Sequence, residues 1–190
     1  MVEIVAAALG LIYIFLEYRA NAWMWLFSIA MSVLYSWVFF SQNMYANLLL
    51  SIYNIGVSVW GVRSWLQHKD AAQGDTQILT FPRRWMPLLI GVIVVLVPLL
   101  AWVLKLMGET EAPLLDGLTA SLSVVGIWML AKRYRQQWLC WIVADILYVV
   151  MFAQSGMWPS LVLYAVYVGI AILGYRHWIQ LEKNNQDSRK

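Results

Sequence analysis

Charged residues are scarce in this sequence. Only 12% of its 190 residues are Asp, Glu, Lys or Arg, against about 25% in an ordinary soluble domain. Hydrophobic residues make up 62% of the chain, and the mean hydropathy is +0.67. A chain of this composition has too little polar surface to cover a soluble fold. We therefore predict an integral membrane protein of the all-α class.

Residues that carry catalysis or bind metals are equally scarce. Cys140 is the single cysteine, which excludes an internal disulfide and argues against a structural zinc site. The two histidines, His68 and His177, have no metal-ligand spacing. The sequence contains no Gly-rich phosphate-binding loop, which excludes ATP-driven transport by this chain. We expect a protein that is not an enzyme and that needs no cofactor and no metal.

Long apolar runs fill most of the chain. A membrane span needs about 20 mostly apolar residues, and this rule predicts seven spans, at residues 2–18, 22–41, 45–64, 86–106, 115–131, 138–155 and 158–177. Two polar connections, at 66–84 and 107–114, separate them, and we expect the polar tail after Trp178 to be frayed. The first run lacks a positively charged n-region, so we interpret it as a span and not as a cleaved signal.

The basic residues indicate the topology. The chain has 13 Lys and Arg residues. With seven spans, only Lys105 falls on one side of the membrane, and the rest fall on the opposite side. The side with the basic residues is the cytoplasm. We therefore expect a bacterial inner-membrane protein with its N-terminus outside and its C-terminus in the cytoplasm. The net charge of +3 then needs no nucleic-acid partner.

An internal repeat relates the two ends of the chain. A shift of 113 residues aligns the first three spans with the last three without a gap, and it pairs Trp25 with Trp138, Gly61 with Gly174 and Trp65 with Trp178. Because span four restores the orientation, the two triplets should run parallel, in a 3+1+3 arrangement with the site at their interface. The predicted units are 1–65 (first repeat), 66–114 (loop plus linker helix 86–106), 115–178 (second repeat) and 179–190 (polar cytoplasmic tail).

Span six carries the most informative stripe of side chains. Trp138, Trp141, Asp145, Tyr148 and Phe152 step by three and four residues and share one helical face. An acid within a span is costly unless it lines a cavity or has a partner, and no basic residue lies at comparable depth in any predicted span. We predict that Asp145 belongs to a site for a flat, aromatic, cationic solute.

Other spans offer further polar and aromatic stripes. Span two carries Tyr35 at the position equivalent to Tyr148. Span three aligns Asn47 and Asn54 with small polar residues, and span seven carries Tyr164 and Tyr167 at matching positions. Either asparagine could contact a ligand or form a hydrogen bond between helices. For Ser28, Ser32 and Ser58 we favour close helix approach or bonding across helices.

Tryptophans also have a structural interpretation. For Trp138 taken alone we favour the aromatic belt at the membrane interface, and Trp23, Trp65, Trp85 and Trp178 fit that belt still better. Trp141 and Tyr148 are deeper and can serve packing or ligand contact. Glu17, which lies beside Arg19 at a span end, is interpreted as an ordinary interfacial acid.

The segment from Asp116 to Trp178 resembles the Pnu-type vitamin transporters. The similarity lies in Asp116-Gly-Leu-Thr, Ala131-Lys-Arg, Trp138-x-x-Trp141-x-x-x-Asp145 and Gly174-Tyr-Arg-x-Trp178. The resemblance implies a fold similar to the SWEET sugar carriers, with parallel three-helix bundles joined by one helix. It also implies that the span-six tryptophan region, here Trp138, Trp141 and Asp145, contributes to the substrate site.

The resemblance further implies import of nicotinamide riboside by facilitated diffusion, followed by trapping through phosphorylation by a cytoplasmic kinase. A sub-branch of the family imports thiamine, which stays open as an alternative because both vitamins combine a cationic ring with hydroxyl groups. Two other classes stay open, a proton-coupled carrier of small solutes and a membrane scaffold without a solute. Besides the vitamin, the expected partner is the lipid bilayer, and a homo-oligomer is compatible with the sequence.

Overall fold

The computed structural model describes residues 2–67, 77–108 and 112–187, and these residues form helices joined by short turns. The helices are α1 (Val2–Tyr18), α2 (Met24–Ser41), α3 (Tyr45–Gln67), α4 (Met86–Leu106), α5 (Pro113–Ala131), α6 (Gln137–Gln154) and α7 (Trp158–Asp187), and a 3₁₀ turn, Arg83–Trp85, precedes α4. They coincide with the seven predicted spans. Six of the described helices are long and apolar enough to cross a membrane, and α1 is a shorter apolar helix. This confirms the all-α membrane class.

The C-terminal helix differs from the prediction. α7 continues through the polar segment to Asp187, whereas we expected the chain after Trp178 to be frayed. Tertiary contacts explain the difference, since Glu182 is buried, forms a 2.6 Å salt bridge with Arg135 and accepts a hydrogen bond from Thr80. Composition alone does not reveal such partners, because they lie 47 and 102 residues away along the chain.

A short part of the predicted polar connection is firmly docked. Leu79 pairs with the α5–α6 turn through two backbone hydrogen bonds, from its own N–H to Arg133 and from the N–H of Arg135 to Leu79. Ile78 is buried in the same apolar cluster as Trp65 and Trp178. The part of the prediction that falls on residues 68–76 lies outside the described residues, as does 109–111 of the second connection.

Helix packing sets where a cavity can form. Consecutive helices pack within α1–α2–α3 and within α5–α6–α7, α3 packs against α5, and α1 touches α7. α4 packs against α5 and makes no extensive contact with α3. The largest fully buried side chains include Trp25, Trp65 and Trp178, which together with Trp138 form the centre of the main apolar core. We call Trp25, Trp65, Trp138 and Trp178 the tryptophan cluster.

Contacts in the tryptophan cluster recur 113 residues apart. Trp25 meets Trp65 edge to face at 5.9 Å, and Trp138 meets Trp178 in the same way at 5.8 Å. The indole N–H of Trp65 donates to the backbone carbonyl of Leu130, while that of Trp178 donates to the equivalent carbonyl, on Glu17. Each indole therefore ties the third helix of one triplet to the first helix of the other.

Turn geometry repeats with the same spacing. Ala20 and Arg133, which follow the first helix of each triplet, both have positive φ, at 51° and 64°. Asn43 and Gly156, which follow the second helix, are likewise left-handed, at 59° and 68°. A left-handed residue is a common end to a helix and is costly for Ala and Arg. Both turns therefore have the same left-handed geometry at positions 113 residues apart, the spacing of the sequence repeat.

Candidate functional site

A cavity of about 400 Å³ lies between the two triplets. We call it the central cavity. Six of the sequence-predicted site residues line it: Tyr35, Asn54, Trp138, Trp141, Asp145 and Tyr167. They come from α2, α3, α6 and α7, so residues far apart in sequence converge there. A cavity of this size is within the range of small-molecule sites.

A second cavity of about 410 Å³ adjoins the central one, and we call it the side cavity. The two share Phe39, Ser51, Asn54 and Ile127 in their linings. Asn47 and Tyr148, also predicted site residues, line the side cavity. Tyr164 lines neither cavity, but its ring packs against Tyr148 at 4.7 Å and Tyr167 at 5.7 Å. The structure thus places Tyr164 behind the rings that line the cavities.

Asp145 lies in the middle of the span-six stripe, because residues three and four positions apart share one face of the helix α6. Trp138 and Trp141 lie on the same face toward the start of α6, and Tyr148 and Phe152 lie toward its end. In the described part of the chain Asp145 forms no salt bridge with a lysine or arginine. A carboxylate that lines a cavity without a basic partner favours a cationic solute.

The two triplets contribute unequal chemistry to the cavity. In the first, Asn54 donates to the hydroxyl of Ser32 at 2.7 Å, which is the interhelical alternative that we left open. The equivalent positions in the second triplet are Tyr167 and Asp145, which pair an acid with a phenol. Ser28 and Ser58 form a hydrogen bond of 2.9 Å between α2 and α3, which confirms the cross-helix interpretation.

Three of the tryptophan assignments need correction. Trp138, Trp65 and Trp178 were compatible with an interfacial belt, yet they are 2%, 0% and 0% exposed. For Trp138 the reason is glycine: a Cβ on Gly174 would lie 2.6 Å from its ring, so that ring fills the space that a side chain would take. Trp65 and Trp178 are buried in ring contacts with Trp25, Trp138 and each other. By contrast, Trp23 and Trp85 are exposed, as the belt interpretation requires.

Sequence reasoning also missed an acid of the site and the residue that holds it by a hydrogen bond. Glu17 is 2% exposed and lines the central cavity, so its assignment as an ordinary interfacial acid is wrong. The amide of Gln137, itself fully buried, donates to the Glu17 carboxylate at 2.9 Å. The sequence feature that pointed to Asp145, an acid within a predicted span, is also present at Glu17. Its sequence neighbour Arg19 hid that signal by making Glu17 look like an ordinary interfacial acid. In the structure the Arg19 side chain is exposed and lies over the Phe15 ring.

A helical membrane fold with a solute-sized cavity, lined by acids and aromatic rings between two helix triplets, is typical of a membrane transporter. Residues 1–180 match the model of the nicotinamide mononucleotide transporter family. The chain belongs to this family. Membership confirms the resemblance seen in the span-six motif, and it confirms that the protein is a transporter and not an enzyme.

Individual relatives agree over nearly the whole chain. The nicotinamide riboside transporter PnuC of Escherichia coli K12 is 24% identical over 207 residues, which cover 94% of this chain and 84% of that protein. The nicotinamide riboside transporter PnuC of Neisseria mucosa is 27% identical, covering 95% and 73%. The solved crystal structure of the vitamin B3 transporter PnuC superposes with a TM-score of 0.75 at 25% identity and covers 95% of this chain and 81% of that one.

Proposed function

We propose that this protein transports nicotinamide riboside across the bacterial inner membrane. The observation that carries the proposal is the central cavity, which sets the Asp145 carboxylate among the rings of Trp141 and Tyr167. The pyridinium ring of the riboside is flat and permanently positive. An indole face attracts such a cation by about 0.5–2 kcal/mol, more when water is excluded. Similarity to riboside transporters over most of the chain supports the same substrate.

The charge of the cavity favours the riboside over its phosphorylated form. Glu17 and Asp145 both line the central cavity, and no lysine or arginine is among its described lining residues. Phosphate binding generally relies on arginine, lysine or a helix N-terminus. The 5′-phosphate of nicotinamide mononucleotide would therefore meet two acids and no base. The riboside offers hydroxyl groups instead, which Tyr35, Asn54 and Tyr167 can contact.

We also propose the architecture predicted from the repeat. Residues 1–65 and 115–178 form two parallel three-helix units, 66–114 supplies a cytoplasmic loop and the linker helix α4, α1 serves as the seventh span, and 179–190 stays on the cytoplasmic side. Support comes from the paired edge-to-face tryptophans and the paired left-handed turns. The basic side chains near the ends of α3, α5 and α7 support an external N-terminus and a cytoplasmic C-terminus.

Transport in this arrangement is a rocking of the two units about the central cavity. The tryptophan cluster packs at the helix ends near the basic side chains, where indole hydrogen bonds join the two units. The side cavity extends the other way and is lined by Asn47, Leu104 and Asp116, from the opposite helix ends. Solute thus enters by the side cavity, and separation of the tryptophan cluster opens the cytoplasmic exit. No coupling ion is needed for this facilitated diffusion.

Intrinsic fluorescence of the purified protein tests the substrate, because Trp138 and Trp141 line the cavity. Nicotinamide riboside, thiamine, nicotinamide mononucleotide and a neutral sugar are titrated side by side. We expect saturable quenching with the riboside, followed by riboside uptake into proteoliposomes that does not respond to a pH gradient. Saturation with thiamine alone would assign the vitamin of the sub-branch instead, and a response only to the sugar would refute a cationic substrate.

Glu17→Gln tests the acid that the sequence did not reveal. The substitution removes the charge but keeps an oxygen that can accept the Gln137 amide hydrogen bond. Because the cavity loses one of its two acids, we expect the Kd for nicotinamide riboside to rise about threefold or more, equivalent to about 0.7 kcal/mol. Gln137→Met, which introduces the residue found at the equivalent Met24, is the companion variant. An unchanged Kd in Glu17→Gln would contradict a role for this carboxylate in binding.

A further inference from the structure

A third cavity, of about 610 Å³, lies apart from the transport pathway. We call it the lateral crevice. It runs between α3, α4 and α5, where α4 packs against α5 but makes no extensive contact with α3. Its lining includes Trp85, Leu88 and Val92, which are exposed on the outer surface of the helix bundle. The crevice therefore opens toward the surrounding membrane and not toward water.

Tyr53 and Val124 form the wall between the lateral crevice and the side cavity, since both residues line both spaces. The Tyr53 hydroxyl donates to the backbone carbonyl of Val124 at 2.9 Å and so closes this wall. The crevice is thus a separate space with an apolar interior. An apolar space of this size open to the bilayer will be occupied by hydrocarbon.

The length of the crevice matches one leaflet of the bilayer. Along α4 it extends from Trp85, at the helix start, to Leu96 near the middle. Eleven residues at 1.5 Å per residue span about 16 Å. Half of the hydrocarbon core of a bilayer is about 15 Å thick. One acyl chain of a phospholipid in that leaflet therefore fits the crevice from the headgroup region to the bilayer centre.

Basic side chains surround the end of the crevice at the membrane surface. Lys132 lines the crevice, and its ammonium group lies 4.9 Å from the ring centre of Trp60. The Arg84 guanidinium lies 5.8 Å from the ring centre of Trp85, another lining residue. The described lining contains no Asp or Glu. Two cations oriented by indole rings at the mouth of an apolar crevice match the phosphate of an anionic lipid.

We propose that the lateral crevice binds an anionic phospholipid, with an acyl chain against α4 and the phosphate between Lys132 and Arg84. A second copy of this chain fits less well as the occupant, because its equivalent surface carries the same basic residues and would repel them. The inference does not depend on the identity of the transported solute.

Native mass spectrometry of the full-length protein, with added phosphatidylglycerol or phosphatidylcholine, tests this site. We expect the parent protein to retain phosphatidylglycerol preferentially, and Lys132→Gln combined with Arg84→Gln to lower that preference at least fivefold. Lys105→Gln is the matched control, because Lys105 lies at the other end of α4 and does not line the crevice. A preference that survives the double substitution, or that Lys105→Gln lowers equally, would overturn the proposal.

Filling the crevice provides the second test. Val92→Trp places an indole in the crevice and should reduce retention of both lipids at least fivefold. Val95→Trp adds the same bulk to an exposed position on α4 outside the crevice and should leave retention unchanged. The α-helical circular dichroism of both variants should match the parent. If Val92→Trp instead altered the oligomeric state and left lipid retention intact, the occupant would be a second copy and the lipid proposal would be wrong.

Discussion

Asp145→Asn is expected to weaken binding of nicotinamide riboside at least fivefold, which corresponds to about 1 kcal/mol. The substitution keeps the size and shape of the side chain and removes the negative charge. Asp145 lines the central cavity without a basic partner in the described chain, so the cation of the bound solute loses a directly compensating charge. Titration of the intrinsic fluorescence gives the Kd, and proteoliposome uptake shows whether transport falls in parallel.

A neutral ligand provides the control for Asp145→Asn. Reduced nicotinamide riboside has the same sugar and a similar ring but no positive charge. If the carboxylate acts through charge, its removal should hardly change the affinity for the reduced form. Equal weakening of both ligands would show that Asp145 acts by hydrogen bonding or shape. Unchanged affinity for the cation in a well-folded variant would refute the role of Asp145 in binding.

Gly174→Ala is expected to affect both stability and binding. A methyl group there would lie 2.6 Å from the Trp138 ring, too close for any real contact, and Trp138 is itself buried. Displacing a buried indole costs about 1–3 kcal/mol, which for a chain of this size lowers Tm by roughly 5 °C. Because Trp138 also lines the central cavity, we expect the Kd for the riboside to rise at least fivefold.

The chain supplies two matched controls for Gly174→Ala. Gly169 lies on the same helix, and a Cβ there meets no atom within 4 Å, so Gly169→Ala should leave Tm unchanged or raise it through better helix propensity. Gly61 is the equivalent glycine of the first repeat and packs against Trp25, which does not line the cavity. Gly61→Ala should therefore lower Tm as Gly174→Ala does, with a Kd near that of the parent. A loss of binding in both would argue against a specific role for Trp138.

The sequence was most informative about features that do not depend on how the helices pack against each other. Helix positions followed from hydrophobic length, since burial in a bilayer demands about 20 apolar residues whatever their neighbours. Asp145 stood out because an acid within a span is costly wherever the helices pack. Its neighbours Trp138 and Trp141 followed from the 3.6-residue period, which fixes the residues that share a helical face.

Predictions were wrong where a side chain's role depends on residues distant in sequence. The tryptophans at helix ends fit an aromatic belt by position, yet Trp65 and Trp178 are fully buried in ring contacts with Trp25, Trp138 and each other. Glu17 looked interfacial beside Arg19, but Gln137, 120 residues away, bonds it within the cavity. The polar tail after Trp178 is helical, and its Glu182 is held by Arg135 and Thr80, which are distant in sequence.

The sequence by itself determined the membrane class, the positions of the helices, the 113-residue repeat and the acid on α6, because all of these follow from local composition and periodicity. Only the tertiary structure decided that Tyr35, Asn54 and Tyr167 share a cavity with Asp145 while Tyr164 lies behind it, and that Glu17 is a second acid there. Helix rotation and crossing set these contacts. Both arise from the packing of helices that lie far apart in the sequence, such as α1 against α7 and α3 against α5, which no single span encodes.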